Sequence, residues 1–189
     1  MSDDVLLVHG GFNPPTTFEY FWGAPGVIAG LTTAGFGVHA PMRAQQPCSW
    51  RDESDHLAAR VPSPPVRVVA GSNGCSAAAR LAIDHVELVR ALVLCWPATN
   101  LPLPEWPHLV RGETLRGVAD DELRALSVPI VLVPSAPFNP YHDEATFDRV
   151  LGLVPGARRA AAFPETPMPH FPPRRDAFVA ELVSILRDL

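Results

Sequence analysis

The chain has 189 residues, 20.4 kDa, 47% hydrophobic and 19% charged side chains, and a net charge of −5. That length fits one domain with a sizeable core, and the composition excludes a disordered chain. All 15 basic residues are arginines and none form a basic run, which argues against a nucleic-acid partner, and no apolar stretch approaches the roughly 20 residues of a membrane span.

The apolar runs alternate with helix-like segments along the chain. Val5–Val8 reads as a strand that stops at His9-Gly10-Gly11. Ala24–Ala34 reads as a helix, with Pro25 near its first turn and Gly35 just past its end. Phe36–Ala40 is a short second strand, and Arg51–Arg60 a short polar helix. Val66–Ala70 is a third strand, followed at once by Gly71-Ser72-Asn73-Gly74 and the Ala-rich helix Cys75–His85. Ala91–Cys95 is a fourth strand. The Pro-rich segment Pro97–Pro107 breaks regularity and leaves little chain for a lid. Asp120–Leu126 is helical, Pro129–Val133 is a fifth strand and Asp143–Val154 a helix ended by Pro155-Gly156. Arg158–Phe163 is a poor sixth strand. Arg175–Leu189 closes the chain as an amphipathic helix with Phe178, Leu182, Ile185 and Leu186 on one face.

Near-continuous apolar strands bounded by helices predict an α/β fold. The expectation is one domain, residues 1–189, with a doubly wound, mainly parallel sheet of about six strands and helices on both faces. Sites in such sheets lie at the carboxyl ends of the strands. Three of those ends are His9-Gly10-Gly11, Gly71–Gly74 and Pro137-Phe138-Asn139.

The segment Ala70-Gly71-Ser72-Asn73-Gly74 carries the sharpest chemical signal. A serine at the apex of a strand-turn-helix exposes its hydroxyl, and small neighbours let strand and helix approach. The backbone N–H of Asn73 would open the helix, aimed where an oxyanion develops. The competing reading is a Gly-rich turn, Gly71–Gly74, that cradles a phosphate or nucleotide. No G-x-G-x-x-G is present, and no acidic residue ends the next strand, where Cys95-Trp96-Pro97 follows.

With Leu6-Leu7-Val8-His9-Gly10-Gly11 before it and Pro169-His170-Phe171 ahead of the last helix, this pattern resembles the α/β-hydrolase superfamily over nearly the whole chain. The resemblance implies a nearly lidless fold without the family's leading hairpin. It also implies a serine hydrolase acting on an ester, thioester or related small-molecule carbonyl substrate. It assigns Ser72 as nucleophile, His170 as base, and the N–H groups of Gly11 (or Phe12) and Asn73 as the oxyanion hole. The family's acid position falls on Asn139, before Pro140; Asp143, Glu144 and Glu165 are off register. A neutral asparagine orients a histidine without stabilising its charge, which implies a slow hydrolase, one with a displaced acid such as Asp143 or Glu165 at His170, or a binding protein or other reaction type on the same fold. Phe12 and Trp96 are the residues expected to line the substrate pocket. His142-Asp143 and Asp52, Asp55 and His56 read as charged loop and helix faces rather than metal ligands, so no metal and no cofactor is expected. Cys48, Cys75 and Cys95 read as reduced thiols of a cytoplasmic protein with no membrane contact.

Overall fold

The computed structural model describes residues 3–11, 16–45, 47–98, 114–165 and 172–189. Six strands form a single, wholly parallel sheet among them: β1 (Asp4–Val8), β2 (Gly37–His39), β3 (Val66–Gly71), β4 (Val89–Cys95), β5 (Ile130–Val133) and β6 (Arg158–Arg159), in the order β2-β1-β3-β4-β5-β6. Six α-helices connect or flank them: α1 (Val27–Thr33), α2 (Trp50–Ala58), α3 (Gly74–Asp84), α4 (Asp120–Arg124), α5 (Glu144–Leu153) and α6 (Pro172–Asp188).

Successive strand residues point to opposite faces, so each apolar strand feeds two cores. Leu6, Val8, Val68, Ala70, Leu92, Leu94 and Leu132 meet Leu57 of α2, Leu81 of α3 and Phe147 and Val150 of α5 on one face. Val5, Leu7, Val69, Val93, Val131 and Val133 meet Val27 and Leu31 of α1 and Phe178, Leu182 and Leu186 of α6 on the other. The apolar stripe of the last helix therefore packs on the sheet as its sequence predicts. The strand assignments hold, and the sixth is as poor as expected: two exposed arginines pair with Val131 and Leu132 at the sheet edge.

One helix start differs from the sequence reading. Gly26 sits at φ 80°, a left-handed position, so α1 begins only at Val27 and Pro25 belongs to the turn before it. A π-helical turn, Glu19–Gly23, precedes it and drives Phe21 and Trp22 into the core.

Phe178 is fully buried, with its ring centroid 5.2 Å from Trp96 and 5.3 Å from Phe163. Phe178→Ala is expected to cost about 3–5 kcal/mol of stability, measured by urea unfolding. A loss under about 1 kcal/mol would contradict this docking of α6.

Candidate active site

The β3–α3 junction forces one residue out of ordinary backbone space. Ser72 has φ 55°, a left-handed conformation that costs a non-glycine residue of order 1–3 kcal/mol. The fold holds it there. Its N–H donates to the Cys95 carbonyl at 2.9 Å, and its own carbonyl accepts from the Cys75 N–H at 3.0 Å. Neighbouring glycines leave the necessary room. A Cβ on Gly10 would lie 2.7 Å from Ser72 Cβ, and one on Gly74 would lie 2.7 Å from the His9 carbonyl. The end of β1 therefore presses against the turn, with Ser72 half-buried at its apex.

The Ser72 hydroxyl donates to His142 Nε2 at 2.9 Å. On the other side of the ring, Nδ1 lies 2.9 Å from Glu165 Oε1, an ion-pair separation without ideal hydrogen-bond alignment. A carboxylate at Nδ1 favours the tautomer whose Nε2 is free to accept the serine proton. His142, only 9% exposed, is thus no part of a charged loop face. Its sequence neighbour Asp143 turns away to cap α5, accepting from the Thr146 N–H at 2.6 Å.

Local sequence explains how His142 is presented. Asn139 Oδ1 accepts from the backbone N–H groups of Tyr141 (2.8 Å) and His142 (3.1 Å), closing a tight turn that ends on the histidine. The asparagine Nδ2 donates to Glu165, and the Ser135 hydroxyl donates to the same oxygen at 2.6 Å. Glu165 is carried alongside by a short ladder: the Ala136 N–H donates to the Phe163 carbonyl, and the Phe163 N–H to that of Pro134. Burial disfavours the charge on Glu165, but the His142 ring, the Ser135 hydroxyl and the Asn139 amide outweigh it and hold the carboxyl below its ordinary range.

Asn139, expected to orient His170, builds the His142 turn and donates to the Glu165 carboxylate. His170 and Phe12, as well as most of the Pro97–Pro107 segment, lie outside the described residues. Trp96, expected to line the pocket, is buried. It is 1% exposed, stacked between Trp22 and Phe178, and its indole N–H donates to the Phe163 carbonyl at 2.9 Å, bracing the segment that leads to Glu165. Gly11 follows the end of β1 at φ 79°, and Asn73 is the residue preceding the first turn of α3. Cys75 is buried beneath the turn, and burial pushes its thiol well up, away from the reactive thiolate.

The family order places an acid after the fifth strand and a histidine after the sixth, so the resemblance did not point to His142 and left Glu165 as an off-register alternative acid. Here the histidine beside Ser72 follows the fifth strand and the glutamate beside that histidine follows the sixth. The available signal was Asn139-Pro140-Tyr141-His142-Asp143, an Asn turn running into an Asp helix cap with a histidine between them.

Behind the turn lies a buried polar group. His9 Nδ1–H donates to the Gly10 carbonyl at 2.9 Å, and His9 Nε2 accepts from the Arg43 backbone N–H at 3.3 Å. Burial, together with the nearby Arg43 charge, lowers the His9 pKa to about 4 from 6.5. Between those values the unfolded chain binds a proton that the folded chain refuses, so stability falls as pH drops from 6.5 and levels off near 4. The expected loss is about 3 kcal/mol across that window, read by urea unfolding. A His9→Gln variant should lose this pH dependence, and an unchanged slope in the variant would refute it.

No family model matches the chain, and no curated protein matches it either. Solved structures match its fold over nearly its whole length. The meta-cleavage product hydrolase of Pseudomonas fluorescens superposes with a TM-score of 0.77 at 14% identity, covering 98% of this chain and 90% of its own. A CIB-like hydrolase of Thermoplasma acidophilum gives 0.75 at 14% identity, over 98% and 86% of the two chains. An α/β-hydrolase enzyme from the sediment metagenome of the Mar Chica lagoon, Morocco, gives 0.73 at 17% identity, over 100% and 93%. The chain has the α/β-hydrolase fold.

Proposed function

We propose that this protein is a serine hydrolase of small carbonyl substrates, an ester or thioester, with Ser72 as nucleophile, His142 as general base and Glu165 as the acid that orients it. The observation that carries this reading is the continuous Ser72–His142–Glu165 contact, 2.9 Å at each step, on a serine at a left-handed strand-to-helix turn. The hydrolase neighbours lend support through the shared fold.

In this reading Ser72 Oγ attacks the carbonyl carbon as His142 Nε2 takes its proton. The carbonyl π pair moves to oxygen, where the N–H groups of Asn73 and Gly11 receive it. The tetrahedral species collapses, the bond to the leaving alcohol or thiol breaks, and His142 returns the proton to it. Water, deprotonated by the same ring, then releases the acid from Ser72. Glu165 stays ionised and stabilises the imidazolium in both halves. The slow turnover implied by a neutral asparagine thus gives way to that of a carboxylate-backed histidine.

Ser72→Ala is expected to abolish both fluorophosphonate labelling and turnover of p-nitrophenyl acetate; undiminished turnover would sink the covalent mechanism. Glu165→Gln keeps the shape but removes the charge. It should lower kcat by about 10²–10⁴-fold while labelling still maps to Ser72, and a kcat within about threefold of wild type would remove Glu165 from the mechanism.

A further inference from the structure

Arg43 lies in the segment after β2 and is 5% exposed. Its guanidinium Nη1 donates to Asn73 Oδ1 at 2.7 Å and to the His9 carbonyl at 3.2 Å. Its Nε donates to Glu53 Oε1 of α2 at 3.0 Å, and that carboxylate is completely buried. Its backbone N–H meets the His9 ring. The two residues gripped by Nη1 adjoin the two halves of the proposed oxyanion hole. Asn73 supplies one N–H directly, and His9 leads into Gly10-Gly11, which supplies the other.

A buried ion pair is a weak source of stability, because desolvating both charges offsets their attraction; apolar side chains of similar volume often serve as well. Such a pair beside a site calls for another reason, and the fork geometry of arginine provides one. One planar group bonded to two separate loops fixes their spacing more tightly than packing alone. Oxyanion donors act by preorganisation, so a displacement of a few tenths of an ångström weakens them in the transition state more than in substrate binding.

We propose that Arg43 is a positioning residue that, clamped by Glu53, holds the Asn73 and Gly11 N–H groups at the separation an oxyanion requires. This rests on the hydrolase reading above. The test measures kcat and KM on p-nitrophenyl acetate, normalised to sites titrated with a fluorophosphonate, for Arg43→Met, Arg43→Lys, Asn73→Ala and the Arg43→Met/Asn73→Ala double variant. Arg43→Met should lower kcat by about 10–100-fold with KM within about threefold, and weaken a trifluoromethyl ketone inhibitor by the same factor as kcat/KM. Arg43→Lys should recover part of the loss. Asn73→Ala keeps the backbone N–H but cuts the tie, so it should lose a similar factor, and the double variant should lose no more than the worse single one. Multiplying losses, or a normal kcat in folded Arg43→Met, would overturn the proposal. Should Arg43→Met fail to fold, a normal kcat in Asn73→Ala overturns it alone. A wild-type chain that the probe leaves unlabelled would overturn the hydrolase reading and this inference together; a labelled wild type with normal variants overturns only the latter.

Discussion

The left-handed backbone at Ser72 is the constraint around which the rest of the molecule is arranged. A non-glycine residue at φ 55° relaxes unless its surroundings over-determine it. Here they do so from three sides. The Cys95 carbonyl fixes the amide, α3 begins immediately and fixes the carbonyl, and the end of β1 approaches so closely that only glycine fits at position 10. The Ala-rich helix follows from the same constraint, since Ala77, Ala78 and Ala79 are fully buried where α3 packs on the sheet. From that fixed backbone the serine hydroxyl meets His142 Nε2.

The rear of the site is tied together through Trp96. It occupies a second left-handed position, φ 52°, at the end of β4, where its N–H donates to the Val133 carbonyl and its indole to that of Phe163. The end of β5 and the Phe163 segment ahead of Glu165 are thereby linked by one buried residue, through its backbone N–H and its indole. Ser135 and Asn139 then converge on Glu165, keeping a half-buried carboxylate charged beside the imidazole. These contacts run from core to loop to carboxylate, which is how a site at the carboxyl ends of the strands keeps its geometry.

Much of the fold was legible because its signals are local. Strand runs such as Val66–Ala70 and the stripe of Phe178, Leu182 and Leu186 declare their burial through spacing alone. Ser72 was legible for the same reason, since a small-residue turn between strand and helix is a contiguous pattern. The partners of the serine were not. His142 and Glu165 are 70 and 26 residues from the groups they meet, Ser72 and Asn139, and only the sheet order brings them together. Resemblance pointed to Asn139 by register, and in the structure that residue closes the turn before His142 and donates to Glu165. Position after a strand did not reveal that Trp96 is buried, on a left-handed backbone at the end of β4.

The central claim is that the histidine after the fifth strand, not the one after the sixth, is the base. The rate of fluorophosphonate labelling of Ser72, compared between His142→Ala and His170→Ala chains of equal stability, tests it most directly. Labelling is expected to slow by about 10³-fold or more in His142→Ala and to stay within about threefold of wild type in His170→Ala. The reverse pattern would contradict it and return the base to the position the family order assigns.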